Sequence, residues 1–252
     1  MLITKNNISF NIKGSYSEKW FSHNTFQLWE QNTFHILDYY QKQNGTYIDI
    51  GSWIGPTVMY ASQLFDRVIA IEPDKLAYKR LVENLSVNKF NNITLIDKCL
   101  SDKNETILFG GNGKWGNSES TMLVSNPEYS SWGGRWTKEE REKNIKLVET
   151  IDFNTLINEY NINIENVKFI KMDIEGGEMI VIPSMKDILQ RYKPTLYLSL
   201  HFCFLKREHI KNILDILFAI YDACYLFYDD GSKINVNIEQ IMSETITTVV
   251  FE

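Results

Sequence analysis

Hydrophobic and polar positions along the chain fall into short apolar runs separated by stretches of helical period. Ile8, Phe10 and Ile12 alternate weakly near the start, and Tyr16, Trp20, Phe21 and Phe26 follow without a clear period. This predicts a short hairpin or loose cap over the first residues, up to about Leu28. From Trp29 to Gln43 the apolar positions Phe34, Ile36, Leu37 and Tyr40 recur at helical spacing, and Asn44-Gly45 ends the helix. Tyr47 to Ile50 reads as a strand, and Pro56 opens a helix, where its missing N–H is no loss. The unit repeats with a strand from Arg67 to Ile71, a helix from Lys75 to Asn88 and a strand from Ile93 to Ile96. Continuous β-branched runs between helices predict a parallel sheet buried on both faces.

Between Phe109 and Asn144 the periodicity stops, and glycines accompany Trp115, Trp132 and Trp136. A patternless stretch of this length inside a compact domain points to a functional insert, and its tryptophans argue against plain disorder. The pattern resumes with a strand from Leu147 to Ile151, a short helix from Asn154 to Glu159 and a strand from Phe169 to Asp173. A helix from Gly177 to Leu189, broken at Pro183, leads to a strand from Thr195 to His201. Helix Arg207 to Ile220, strand Ala223 to Tyr228 and a last, antiparallel strand from Thr245 to Phe251 complete the reading. The expectation is one α/β domain over residues 1–252, with a Rossmann-like, mostly parallel seven-stranded sheet and helices on both faces. A cap and helix occupy 1–44, and an aromatic insert on the substrate side occupies 109–146.

Composition adds exclusions. At 44% hydrophobic and 23% charged residues, disorder and low-complexity architectures are out. A net charge of −6 without a run of Lys and Arg gives no positive field for nucleic acid. No apolar stretch approaches the ~20 residues of a membrane span. The segment after Met1 is polar, and Cys99, Cys203 and Cys224 are widely spaced. They read as free thiols in a reducing compartment, so a cytoplasmic location is expected. Oligomeric state is not legible.

The most informative constellation begins at Asp49, passes through Gly51-x-x-x-Gly55 into a helix, and ends at Glu72 at the close of the next strand. Glycine lets a turn approach a ligand, the helix N-terminus offers free N–H groups, and an acid about 20 residues on takes ribose hydroxyls. A dinucleotide needs a bare Gly-x-Gly-x-x-Gly turn for its pyrophosphate. Here Trp53 stands in the turn, which suits a methionine-type tail better, and Asp49 could accept from an ammonium group. S-adenosylmethionine (SAM) has that ammonium and no phosphate. Ser52 lies in the same turn, and Pro73, Cys99 and Leu100 are placed to wall an adenine, unless the last two are simply strand-end core.

Asp173 ends a strand and Glu175 lies two residues on, so both reach the crevice beyond the sheet edge, and His201 closes the neighbouring strand. A carboxylate beside a histidine suits a general base, and the same three residues could bind a divalent cation. Spacing does not separate the two roles. Glu178 falls in a first helical turn, where a negative charge is favoured anyway. In the insert, Trp115, Tyr129, Trp132 and Trp136 could form a platform for apolar sugar faces, with Asn112, Lys114, Asn117 and Arg135 as donors. A lid that merely packs on the domain is the plainer alternative.

The strings Tyr-Ile-Asp-Ile-Gly-Ser-Trp-Ile-Gly (47–55), Val-Ile-Ala-Ile-Glu-Pro-Asp (68–74) and Ile-Lys-Met-Asp-Ile-Glu-Gly-Gly-Glu (170–178) resemble the three blocks of FkbM-type methyltransferases. The resemblance spans residues 45 to 202 and implies a class I methyltransferase fold and SAM as cofactor. It also implies methylation of a hydroxyl, on a sugar, a glycan or a glycosylated metabolite. Ser52-Trp53 stands where the family usually has Ala-Asn, and Ser199 where an acid is common. Two rivals carry different expectations. An NAD(P)-dependent sugar oxidoreductase or epimerase is disfavoured by Trp53 and by the lack of any Tyr-x-x-x-Lys, and a non-catalytic SAM-binding protein would bind SAM without turnover.

Overall fold

In strand β3 (Thr46–Ile50) every residue is buried, and successive side chains enter different cores. Ile48 and Ile50 join Ile69 and Ile71 in one, whereas Tyr47 joins Val68 and Ala70 in the other. A strand covered on both faces has no polar side to alternate with, which explains its continuous apolar sequence. The computed structural model describes residues 1–22, 24–41, 45–111, 116–125, 139 and 143–252.

The main sheet continues from β3 to β4 (Arg67–Ile71) and β5 (Ile93–Ile96) on one side, and to β10 (Val167–Met172) and β11 (Thr195–Ser199) on the other, all parallel. Beyond β11 lie β14 (Thr248–Phe251), β12 (Cys224–Phe227) and β13 (Lys233–Asn235), each antiparallel to its neighbour. The expected antiparallel strand near the C-terminus is therefore β14. The sheet has eight strands rather than seven. The extra one, β13, is three residues long with Ile234 exposed, too short to leave a pattern.

A second sheet, in the order β6-β9-β7-β8, joins β6 (Cys99–Ser101), β7 (Thr106–Gly111), β8 (Ser120–Thr121) and β9 (Ile145–Asp152). The strand expected at 147–151 is thus β9 and lies outside the main sheet. Val148 and Thr150 are buried while Leu147 and Glu149 are exposed, the alternation of a strand covered on one face. Part of the insert is consequently regular: β7 and β8 pair across it. Trp115, Tyr129, Trp132, Trp136, Asn112, Lys114 and Arg135 lie outside the described residues.

Helices α1 (Ser15–Phe21), α2 (Asn24–Leu28) and α3 (Gln31–Tyr40) follow an antiparallel hairpin of β1 (Leu2–Lys5) and β2 (Ile8–Asn11), the expected cap. Then come α4 (Pro56–Ala61), α5 (Lys75–Leu85), α6 (Phe153–Glu159), α7 (Glu178–Tyr192), α8 (Arg207–Phe218) and α9 (Ile238–Glu244). Phe34 and Leu37 of α3 pack in one core with Val58 of α4, and Val181 of α7 packs in the other with Leu214 of α8. The expected break at Pro183 is absent, and α7 runs through it. Proline removes one helical bond at about 3 kcal/mol, but Val181, Ile182, Met185 and Leu189 are fully buried and packing holds the helix.

The cap is tied down by one buried charge. Lys5 is 1% exposed and donates to the carbonyls of Phe26 (2.9 Å), Gln27 (2.9 Å) and Trp29 (3.0 Å). Its three N–H groups are therefore matched by three acceptors. Thr33 of α3 bonds to the Tyr197 hydroxyl of β11 at 2.9 Å, which closes the cap over the sheet edge.

Candidate active site

The carboxyl ends of β3, β4, β10 and β11 open on one cavity of about 640 Å³, within the roughly 300–1,000 Å³ of small-ligand sites. Of the cofactor residues expected from the sequence, Gly51, Ser52, Glu72, Pro73, Cys99 and Leu100 line it, while Asp49 and Gly55 do not. Asp173, Glu175 and His201 line it too.

Gly51 has φ +86°, and a Cβ there would sit 1.9 Å from the carbonyl oxygen of Asp173. Only glycine lets the β3 turn pack against the end of β10. Gly55, at φ +88°, caps α4 and shapes the turn from behind, where a Cβ would meet Leu81 at 2.3 Å. Between them Trp53 adopts φ +48°, its backbone N–H donating to Glu72 Oε2 at 2.7 Å and its indole to the Gly116 carbonyl at 3.0 Å. Asp74 N–H donates to the other oxygen of Glu72 at 2.8 Å. Each oxygen keeps a lone pair for a further donor. Burial pushes the Glu72 carboxyl up to about 8 against those two backbone bonds. Burial also raises the Cys99 thiol, which stays neutral in the wall of the cavity.

Asp49 faces away from the place the sequence suggested. It is fully buried, and its Oδ2 accepts from Thr57 (2.5 Å) and Tyr47 (3.1 Å). Its Oδ1 lies 3.6 Å from Lys171 Nζ. Side-chain alternation in β3 sends position 49 into the aromatic core beneath the cavity. Lys171 is its register partner on β10 and also lies 3.3 Å from Asp173 Oδ2. Burial opposes the charge on Lys171, but the two carboxylates outweigh it and keep the amine protonated.

His201 is surrounded by acids. Nε2 lies 3.3 Å from Asp173 Oδ1 and 3.4 Å from Glu175 Oε2, and Nδ1 is 3.0 Å from Glu178 Oε1. The ring stacks on Phe204 at 5.4 Å. Burial works against its charge, yet Glu178, Asp173 and Glu175 together raise the imidazole well above its usual value. Asp173 is held low: burial is outweighed by Lys171 and His201. Burial lifts Glu175 to about 8, partly offset by His201. Glu175 sits at φ +54°, and its carbonyl accepts from Thr121 at 2.7 Å. The donor atoms of Asp173, Glu175 and His201 all lie within 4.8 Å of one another, so the set fits a shared proton or a divalent cation.

Three residues escaped the sequence reading. Lys171 looked like a lone charge in an apolar strand while Asp49 was given to the ligand; two such charges in fully buried strands are a signal for a pair. Glu178 looked like a helix-start residue, and it is also the ring's partner. Glu30, which lines the cavity from the cap, had no motif to mark it. Burial and the nearby Asp173 push Glu30 up to about 7.

Among the described residues, four carboxyl groups, of Glu30, Glu72, Asp173 and Glu175, line this cavity with two cationic side chains, Lys171 and His201. A glycine turn after the first parallel strand and an acid closing the next, with a lone pair open on each oxygen, suit the ribose of an adenosine-type ligand at the switch-side edge of the sheet. The class this fold and site define is the Rossmann-like methyltransferase fold. The Methyltransferase FkbM domain profile matches residues 49–239. The chain belongs to the FkbM methyltransferase family.

Solved structures similar to the chain include the FkbM methyltransferase of Methylobacillus flagellatus KT, at 16% identity and a TM-score of 0.47. That match covers 96% of this chain and 56% of that one, so the chain spans little more than half the length of that relative. The Streptococcus mutans protein SMU.1697c, in complex with SAH, is 14% identical with a TM-score of 0.46 over 87% of this chain and 95% of that one. An rRNA methylase from Streptococcus thermophilus is 10% identical with a TM-score of 0.45 over 87% and 93%. No curated protein matches the chain. No helix among the described residues is long and apolar enough to cross a membrane.

Proposed function

We propose that the protein moves the methyl group of SAM to a hydroxyl of a sugar, glycan or glycosylated metabolite. In this reading residues 1–252 work as one domain in the cytoplasm. The one-domain reading is supported by Trp29 and Glu30 of the cap, which line the same cavity as Glu72. The location is supported by Cys99, Cys203 and Cys224, all unbridged.

Glu72 takes the ribose hydroxyls, Gly51 and Ser52 border the methionine tail, and Pro73, Cys99 and Leu100 flank the adenine. The acceptor lies against Asp173, Glu175 and His201. Its oxygen attacks the methyl carbon in line, the carbon–sulfur bond breaks with its electron pair staying on sulfur, and neutral S-adenosylhomocysteine (SAH) leaves. The sulfonium already makes the methyl a good electrophile, so the protein supplies position and an exit for the hydroxyl proton.

The observation that carries the reading is His201 Nε2 set between two carboxylates, at 3.3 and 3.4 Å, inside the cofactor cavity. A neutral amine attacks without prior loss of a proton, whereas a hydroxyl needs a group to receive one. With His201 already charged and Asp173 held ionised, the group that takes that proton is the carboxylate form of Glu175, whose carboxyl is lifted to about 8 and which His201 holds in place. A second reading, favoured by the 4.8 Å spread of donor atoms, has a divalent cation in the same three ligands polarising the hydroxyl. Activity abolished by EDTA and restored by Mg²⁺ or Mn²⁺ distinguishes it.

Incubation with methyl-labelled SAM and a panel of free sugars and glycosides tests the class. Labelled methyl ethers are expected, and label found only in methyl esters or methylamines would overturn the reading.

A further inference from the structure

We infer that Glu30, presented by the N-terminal cap, receives the α-ammonium group of the methionine moiety of SAM. The inference rests on the SAM assignment and goes beyond it, because Glu30 lies in the cap, outside the family-matched segment 49–239.

The acid that sequence spacing put forward for this group is not free to take it. Asp49 is sealed beneath the cavity by Thr57, Tyr47 and Lys171. Glu30, by contrast, lines the cavity. Its position along the cavity is the right one. Glu72 follows β4, and Cys99 and Leu100 lie beyond it next to β5. The charges that act on Glu30 come from the opposite direction, from Asp173 and Lys171 at the end of β10 and Asp49 on β3. A nucleoside with its ribose at Glu72 and its base toward Cys99 extends its tail across the Gly51 turn toward Glu30.

The chain also goes to some expense to hold Glu30 there. The residue sits at φ +43°, the left-handed region that a glutamate rarely adopts. Lys5 commits all three donors to the carbonyls of Phe26, Gln27 and Trp29, which fixes the turn from below. Thr33 Oγ1 lies 3.1 Å from Glu30 Oε2 and 2.9 Å from the Tyr197 hydroxyl, which fixes the carboxylate from the side. Strain retained by surrounding contacts at a cavity wall is a feature of ligand sites.

Charge completes the case. The two lysines whose fields reach Glu30 are engaged elsewhere: Lys171 lies 3.3 Å from Asp173 and 3.6 Å from Asp49, and Lys5 donates to three carbonyls. A ligand ammonium at Glu30 supplies a direct partner, and its bond to a carboxylate is charge-assisted.

A thermodynamic cycle by isothermal titration calorimetry tests this. The ligands are SAH and its deamino analogue, which keeps the nucleoside, thioether and carboxylate. The proteins are the wild type and Glu30→Gln, which preserves side-chain length and an acceptor for Thr33. The wild type should bind SAH at least about tenfold more tightly than the deamino analogue, and Glu30→Gln should lose most of that preference. Equal preference in both proteins overturns the inference while leaving the SAM assignment intact. A wild type that binds neither ligand overturns the SAM assignment, and the inference with it. Should Glu30→Gln not fold, Glu30→Asp, which withdraws the carboxylate by one methylene, enters the same cycle with the same two outcomes.

Discussion

The buried carboxylate of Glu178 bridges the backbone N–H of Ile174, at 2.9 Å, and Nδ1 of His201, at 3.0 Å. One side chain thereby closes the first turn of α7 and orients the imidazole, so that Nε2 points at Asp173 and Glu175. Helix start and site geometry are the same structural event here, and rotation of the ring would cost a fully buried acid its charged partner. That coupling explains how a histidine on a strand-end loop is held as firmly as one on a regular element.

Replacing His201 by Ala removes the centre of this arrangement. Turnover should fall by about 10²–10⁴-fold, the usual worth of positioned proton transfer. SAH affinity should stay unchanged, because Glu72 and the Gly51 turn are untouched. Steady-state kinetics and calorimetry on the same preparation check both halves, and full activity in the variant removes His201 from the mechanism.

Glu72→Ala should weaken SAM binding by roughly tenfold or more, the loss of at least one charge-assisted hydrogen bond to ribose. Calorimetry reads it directly. Unchanged affinity would take the ribose away from Glu72.

The raised Glu72 carboxyl makes a pH prediction for the cofactor-free protein. Its value rises from 4.5 in the open chain to about 8 in the fold, with burial as the cause. Between those values the folded protein holds a proton that the unfolded chain has released, so this residue's contribution to stability falls as pH rises from about 4.5 to 8 and levels off above. The melting temperature of the cofactor-free protein should drop across that window. In Glu72→Ala the slope should be shallower. A slope identical to the wild type contradicts the assignment.

Lys171→Met should be among the most damaging single changes. It leaves Asp49, fully buried, without its cation and Asp173 with His201 alone. Breaking a buried pair from one side costs roughly 3–5 kcal/mol. A thermal melt of the variant should show a loss of many degrees; a wild-type melting temperature would mean that Asp49 is neutral without Lys171.

Much of this was written in the chain, and the remainder has specific physical reasons for escaping it. The parallel strands were legible because burial on both faces leaves continuous apolar sequence, and the Gly51 turn and Glu72 because ligand approach demands fixed residue types at a fixed spacing. Asp173, Glu175 and His201 could be placed together because the first two follow β10 and the third follows the neighbouring β11 at the same sheet edge, and all three line the cavity. The fate of Asp49 was misjudged because its partner sits on β10, far along the chain, and only sheet register brings Lys171 opposite. Glu30 was illegible because its place depends on tertiary bonds from Lys5 to backbone carbonyls, which have no sequence signature. The sheet that β9 joins is not legible from its own residues, although the alternation of buried Val148 and exposed Glu149 marks a strand covered on one face. Pro183 does not break α7 because burial of the helix outweighs one lost bond.

The most direct measurement is a crystal structure with SAH bound. The ribose hydroxyls should lie on the Glu72 carboxylate, the adenine between Pro73 and Leu100, and the sulfur should face the space in front of His201. Density for SAH elsewhere, or a Glu72 carboxylate turned away from the nucleoside, would contradict the account.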